Sequence, residues 1–299
     1  MKKFYALFLL TMVGLTASAQ KEEWRLDRSY VENDSTVKLN ETVYEYNENR
    51  WVSLETETNY QGLIESVTKT YYEYDEKGNE SAIKVFEDDT PVEEMILTEY
   101  DEATGYPKVY LISYSGQDAL GNYTGQLLPY LKYEFAEYSN GRVKKLNLYL
   151  YDETFDSYEL AQSYEYAFDE QGRAVQELMS IMYEGTLYPY LYTETEYDNH
   201  DNRTKEVVQN LYAGTTTTYY TNSYDDNDCL VKVRTESSDI QVEPTTKYNF
   251  WSRFDAAGVS SIRVTKGISD WYDMNGRRLD VKPTKKGLFI QNGKKVLVK

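Results

Sequence analysis

Cysteine is almost absent from this 299-residue chain. Cys229 stands alone, so no intrachain disulfide can form, and a two-cysteine metal knuckle or thiol redox pair is excluded. Histidine is equally scarce: His200 is the single copy, which removes Ser-His-Asp triads, Cys-His pairs and multi-histidine zinc sites built from this chain alone. Long apolar runs are missing as well. Beyond Leu15 nothing approaches the roughly 18 apolar residues that a transmembrane helix needs, so no transmembrane segment is expected. Basic charge is short, with 32 Lys and Arg against 50 Asp and Glu and a net charge of -18. An acidic body of this kind repels nucleic acid and anionic membrane surfaces, so nucleic acid is excluded as a partner. Aliphatic residues are thin: Leu, Ile, Val and Phe number 65, close to the roughly 20% level below which a highly charged chain stays unfolded.

What the chain has is tyrosine, 32 copies. A tyrosine buries a large ring while its hydroxyl reaches water, which suits a thin core that is wet on one side, and that is a property of sheets. The first residues pair Lys2 and Lys3 with the apolar run Phe4 to Leu15 and then Ala17-Ser18-Ala19, the layout of a secretory signal peptide over 1–19 with a mature start at Gln20. No cysteine follows it to carry a lipid. Charge is uneven: residues 262 to 299 carry a net +7, which leaves -25 on residues 1 to 261. That shift marks a boundary near Ser260 to Ser269 and predicts a body over 20–262 and a tail over 263–299.

An aromatic followed by Asp, two variable residues and then Gly or Asp recurs along the body. It occurs at Tyr74-Asp75 with Gly78, Phe168-Asp169 with Gly172, Tyr197-Asp198 with Asp201, Tyr224-Asp225 with Asp228, Phe254-Asp255 with Gly258, and Tyr272-Asp273 with Gly276. Near misses sit at Tyr100-Asp101 and Tyr138-Ser139. Successive aromatics 168, 197, 224 and 254 lie 29, 27 and 30 residues apart. An Asp side chain accepts a hydrogen bond from a backbone N–H two residues on, and Gly supplies the positive φ that closes a bulged hairpin turn. The flanks alternate. Leu146, Leu148 and Leu150 face one way while Asn147, Tyr149 and Tyr151 face the other, and Glu94 to Tyr100 alternate similarly. Each unit is therefore a pair of antiparallel strands, and the fold class is all-β: a long antiparallel meander of hairpin repeats. Whether such a sheet stays open, curls or closes is not set by the pattern.

The segments "YEYDEKGN", "YAFDEQGR" and "TEYDNHDNR" resemble the YD repeats of large bacterial surface and toxin-encapsulating proteins, over roughly residues 40 to 262. The resemblance implies a twisted or spiralling sheet of YD-type repeats. Small exported all-β bacterial proteins with similar repeats are the closer match in size. In the tail, three short strands are predicted at Arg278 to Val281, Leu288 to Gln291 and Val296 to Val298, with Asn292-Gly293 as a hairpin turn. Tyr272, Asp273, Asn275, Gly276, Arg277, Gly287, Phe289, Ile290, Lys294 and Lys295 resemble, one by one, the end of the sorting domains used in type IX secretion. That resemblance implies the secretion machinery as a partner and an outer-surface or extracellular destination, with the periplasm as the alternative.

Fifty acids make carboxylate pairs uninformative, and the Asp of the repeat has a backbone role that accounts for its position. The oxygen-rich turns Asp198 to Asn202 and Asp225 to Asp228 lack the Glu and Gly placement of a calcium loop, and solvated turns are the expectation. No catalytic residue, metal or cofactor is expected. His200 is expected to be exposed and idle, and Cys229 half-buried. The binding candidates are aromatic: Tyr188, Tyr190 and Tyr192 on one strand face, and Tyr149 and Tyr151 on another, rings able to stack on a glycan or a surface protein, or else to cover one another. The sequence thus predicts an exported, non-enzymatic surface or extracellular protein with a structural or binding role. The rival is a carbohydrate-binding or carbohydrate-active protein using its Tyr-rich face.

Overall fold

The computed structural model describes residues 23–60, 65–118, 121–254, 271–272, 278–279, 287–291 and 294–298. The signal segment 1–19 and the turns at Asp255 and Asp273 lie outside the described residues. Two compact units divide after Ala256.

The first unit is built of β1 (Trp24–Asn33), β2 (Lys38–Tyr46), β3 (Val52–Asn59), β4 (Ser66–Tyr74), β5 (Glu80–Glu87) and β6 (Thr90–Tyr100). It continues through β7 (Pro107–Gln117), β8 (Tyr123–Ser139), β9 (Arg142–Asp152), β10 (Ser157–Phe168) and β11 (Ala174–Tyr183). It ends with β12 (Thr186–Tyr197), β13 (Arg203–Asn210), β14 (Gly214–Tyr224), β15 (Leu230–Ser237) and β16 (Thr245–Arg253). Each strand pairs antiparallel with its sequence neighbours, and β1 also pairs with β16 through Ser29↔Asn249 and Tyr30↔Tyr248.

This closure corrects the expected twisted or spiralling YD-type repeat sheet: the unit is a closed sixteen-strand antiparallel barrel. In an even-numbered meander the first and last strands run in opposite directions, so the joining ladder is of the same kind as all the others. Closing it satisfies two rows of backbone groups that an open or spiralling sheet would leave at its edges. Side chains reinforce the seam. Tyr30 stacks on Tyr248 at 4.9 Å, the Tyr248 hydroxyl donates to Glu32, and Arg234 forks onto both carboxylate oxygens of Asp34.

The repeated motif forms the hairpin turns at one end of the barrel. At Asp75, the Lys77 and Asn79 N–H groups donate to the carboxylate and the Gly78 N–H to the Asp75 carbonyl, with Gly78 at φ +84°. Asp198 and Asp225 build the same turn, with Asp201 and Asp228 at positive φ. Each turn ends in the same one-residue bulge, which sets Tyr74 opposite Glu80, Phe168 opposite Ala174 and Tyr197 opposite Arg203. A further copy at Asn47, closed by Arg50 at φ +66°, escapes the motif because Asn and Arg replace Asp and Gly. Alternation along β6 breaks at Thr98, which the register skips between Leu97 and Glu99.

The motif aromatic has its own task. At the end of an even-numbered strand it donates to a carbonyl near the start of the preceding strand: Tyr46 to Leu26, Tyr74 to Val52, Tyr138 to Pro107 and Tyr197 to Ala174. On β16 Trp251, three residues before the motif Phe254, does the same through its indole N–H to Leu230. On β14 the amide of Asn222 serves the Arg203 carbonyl instead, while Tyr224 donates to Asp198. These bonds lace one rim of the barrel, hairpin to hairpin.

The second unit contains a small four-stranded sheet of β17 (Trp271–Tyr272), β18 (Arg278–Leu279), β19 (Gly287–Gln291) and β20 (Lys294–Val298), in the order β18-β17-β19-β20. Trp271–Tyr272 pairs with both β18 and β19, a strand that the sequence pattern did not mark. Tyr272, Gly287, Phe289, Ile290, Lys294 and Lys295 belong to this sheet, whereas Asp273, Asn275, Gly276 and Arg277 lie outside the described residues. No described helix is long and apolar enough to cross a membrane, which leaves membrane-crossing strands unaddressed.

Candidate functional site

Strand alternation gives the barrel wall two chemistries. Tyr164, Tyr166 and Phe168 of β10 line a cavity shared with Tyr74 of β4, Thr193, Thr195 and Tyr197 of β12, and Tyr220 and Asn222 of β14. Residues from strands this far apart around the ring can meet only in the interior, so their parity defines the inner wall. The opposite parity is charged and ion-paired: Glu73 with Lys84, Lys145 with Glu165, Glu196 with Lys205, and Arg234 with Glu236.

The cavity measures about 1020 Å³ and opens toward the laced rim, where Gly78, Gly141, Gly172 and Asp201 border it. Its volume lies at the top of the roughly 300–1,000 Å³ range of small-molecule sites. Met95, Tyr110, Ile112, Tyr133, Leu146 and Tyr166 form the buried core, of which Tyr110 and Tyr166 also line the cavity.

Two carboxylates enter the cavity from strands flanking β12: Glu177 is level with Thr193 and Glu206 with Thr195. Burial pushes the Glu177 carboxyl above the usual range and the charge of Glu206 adds to this, while the Tyr166 hydroxyl and Arg203 oppose it. Glu206 is instead held by the Arg203 guanidinium at 3.0 Å. Glu80, at the opposite side of the cavity, is also raised by burial. At the rim, Arg173 bridges Asp169 at 2.7 Å and Asp201 at 3.0 Å, joining two adjacent motif turns. Asp75 shows the contrary effect to the interior acids. Burial alone would raise it, but hydrogen bonds from Asn79, Tyr100 and the turn backbone bring it down to about 2.

The aromatic candidates read from the sequence lie elsewhere. Tyr149 and Tyr151 are on the outer wall: Lys132 sits 3.8 Å from the Tyr149 ring, whose hydroxyl donates to Glu134, and Tyr151 packs on Tyr158 at 5.2 Å. Burial followed by the bond to Glu134 raises the Tyr149 hydroxyl to about 12. A bulge in β12 separates the other three. Tyr188 pairs with Ile181 and Tyr192 with Leu178, residues of opposite parity on β11, so these two rings do not share a face, and Tyr190 is passed over in the register and stacks on Tyr212. The oxygen-rich turns spend their carboxylates on their own backbone and neighbours: Asp198 accepts from His200, Asn202, Asn222 and Tyr224. Among the described residues no group of three or more His, Cys, Asp or Glu is placed to hold a metal ion. His200 is stacked on Tyr224 at 4.1 Å, and Cys229 is buried.

Glu177, Arg203, Glu206 and Tyr220 were not singled out from the sequence. A signal for them existed, since each lies on the strand parity opposite the outward Lys and Glu residues, but parity alone does not say which face of a meander is enclosed.

No family model matches the chain, and none of the curated proteins matches it. Among solved structures it is similar to a porin-like protein from Bacteroides uniformis at 12% identity and a TM-score of 0.44, covering 76% of this chain and 96% of that one. A porin-like protein from Bacteroides vulgatus is similar at 8% identity and a TM-score of 0.37, covering 76% and 98%. Part of the Photorhabdus luminescens Tc holotoxin pore is similar at 11% identity and a TM-score of 0.19, covering 88% of this chain and 18% of that one. The functional reading rests on the chain's own geometry.

Proposed function

We propose that this chain is an exported, non-enzymatic β-barrel of the cell surface or extracellular space that stays in water and binds a ligand in its interior cavity. One observation carries the reading: the outer wall, alongside its rings, bears a row of paired charges that includes four outward cations. A barrel embedded in a bilayer has the reverse polarity, and an outward Lys or Arg near the bilayer midplane costs about 2–4 kcal/mol. Here Lys84, Lys145, Lys205 and Arg234 face outward with acidic partners. Carbohydrate is the second reading, with the cavity lining taking the role first assigned to Tyr149, Tyr151, Tyr188, Tyr190 and Tyr192.

Export is supported by the N-terminal pattern, and the basic C-terminal sheet is the proposed handle for the secretion machinery. The test compares the full chain with one ending at Trp271 in a Gram-negative host. The full chain is expected outside the cell and monodisperse without detergent, and the shortened chain is expected to stay in the periplasm. A full-length protein that needs detergent, or that conducts ions across a planar bilayer, defeats the water-soluble reading. Equal release of both chains defeats the role given to the tail.

A further inference from the structure

The polar groups of the cavity narrow the class of ligand. Glu206 and Arg203 neutralise one another at 3.0 Å, yet together they offer a carboxylate acceptor and several guanidinium donors. Glu177, on the other side of β12, adds a second carboxyl group to the same wall, and burial raises its pKa above the ordinary glutamate value. Thr193, Thr195 and Asn222 add uncharged donors and acceptors on the same wall. Around them stand Tyr164, Tyr166, Tyr197 and Tyr220.

Other ligand classes fit this lining poorly. An anion would meet Glu177, Glu206 and Glu80, and of the three arginines in the lining, Arg203 is paired with Glu206, Arg173 with Asp169 and Asp201, and Arg142 stands at the rim. A cation would have to displace Arg203 from the carboxylate it already satisfies. A purely apolar ligand would strip water from the Arg203–Glu206 pair and Glu177 without replacing their hydrogen bonds. A ligand that is uncharged, carries many hydroxyls and presents flat C–H faces satisfies both the rings and the polar groups.

We infer that the interior cavity is a carbohydrate site, which takes the end of a neutral oligosaccharide between the inner-wall tyrosines and the Glu177, Arg203 and Glu206 side chains. This inference rests on the water-soluble binding reading above and adds to it the ligand class and the residues that contact the ligand. The outer-wall rings Tyr149 and Tyr151 take no part.

The experiment uses residues 20–299 purified without detergent, applied to an array of neutral, sialylated and sulfated glycans, and then titrated with the best neutral oligosaccharide by calorimetry. Neutral glycans are expected to bind. Glu206→Gln and Tyr220→Ala are each expected to weaken binding by about tenfold or more, as when a buried hydrogen bond or a ring contact is lost. Tyr149→Ala is expected to leave affinity unchanged, with folding of all three variants verified by circular dichroism. Should Glu206→Gln fail to fold, Thr195→Val supplies a milder lesion in the same wall, with the same loss expected. Binding that only acidic glycans show, binding abolished by Tyr149→Ala but retained by the interior variants, or a folded barrel that binds no glycan would each overturn the carbohydrate site. In all three cases a protein that stays monodisperse without detergent keeps the water-soluble reading intact, so the two failures are distinguishable.

Discussion

On β10, Tyr164 and Tyr166 look into the barrel while Glu165, between them, reaches outward to Lys145. The same division runs along β12, where Thr193, Thr195 and Tyr197 line the cavity and Glu196 pairs outward with Lys205. Inner and outer walls thus belong to the same strands but are held by different forces. The outer wall sets partly exposed ion pairs among rings such as Tyr149 and Tyr151, each pair worth about 0–1 kcal/mol and weakened by salt. The inner wall consists of rings and aliphatic side chains taken from water at about 25 cal/mol per Å², and it bears the polarity cost of enclosed carboxylates. The difference teaches that the outer ion pairs add little to stability and that the inner wall supplies most of it.

The sharpest test of this division sets two adjacent residues against each other. Leu146 is 1% exposed and packs in the core cluster, whereas Lys145 beside it points outward to Glu165. Leu146→Ala is expected to cost about 2–5 kcal/mol through lost transfer energy and the cavity left behind. Lys145→Ala is expected to cost less than about 1 kcal/mol. Urea midpoints at constant m-value measure both. Similar losses at the two positions would show that the walls share the stability and would break the comparison.

A smaller effect is expected at the laced rim. Tyr197→Phe removes the hydroxyl that reaches the Ala174 carbonyl at 2.9 Å while keeping the ring in the cavity wall. The carbonyl then loses a half-buried partner, at about 0.5–1.5 kcal/mol. Phe168 is the natural counterpart on β10, a motif aromatic that has no hydroxyl to give. Phe168→Leu therefore isolates the packing of the ring from the lacing bond of Tyr197. A Tyr197→Phe protein as stable as the parent in urea would reduce the lacing to an incidental contact.

Much of the local structure was legible in the sequence and much of the site was not, for one physical reason. Turns are written locally: Asp75, Asp169, Asp198 and Asp225 make their turn-closing hydrogen bonds to backbone within four residues, so spacing and residue type expose them. Closure is not local. The Ser29↔Asn249 and Tyr30↔Tyr248 pairs join positions some two hundred residues apart, and nothing in the strand pattern marks β1 and β16 as partners. The expectation of a spiralling sheet failed at this point. The aromatic candidates Tyr188, Tyr190 and Tyr192 went astray for a similar reason, because a bulge opposite Met179 and Ser180 changes the parity of β12 midway and strict period-2 reading carries past it. Glu177 and Glu206 looked like two acids among fifty until closure placed them in one enclosed space.

The gentlest probe of inside against outside is pH, because enclosed and rim carboxylates respond with opposite sign. Glu93, opposite the buried Val85 and two residues before the core Met95 on β6, and Glu177 have folded-state pKa values raised by burial, so each favours the folded state least when ionised. Their effect is absent at low pH, where both states are protonated, and stability falls as pH rises from the ordinary glutamate value of 4.5 through the raised one. Asp75 is the reverse. Its folded value of about 2 lies below the usual 3.8, so its contribution is fully present above pH 3.8 and is lost as pH falls toward 2. Stability should therefore pass through a maximum between these limbs, on the acidic side of neutrality. Glu93→Gln is expected to flatten the upper limb and Asp75→Asn the lower one, each by no more than about 1.4 kcal/mol per pH unit, the slope set by one proton. The rim effect should be the smaller, since Asp75 is largely solvated and its hydrogen bonds compete with water. Melting temperatures from pH 2 to 8 measure both limbs. If Glu93→Gln left the upper limb unchanged, Glu93 would be ionising in an environment as wet as the outer wall, and the interior would not be the enclosed space that sets this barrel apart from its surface.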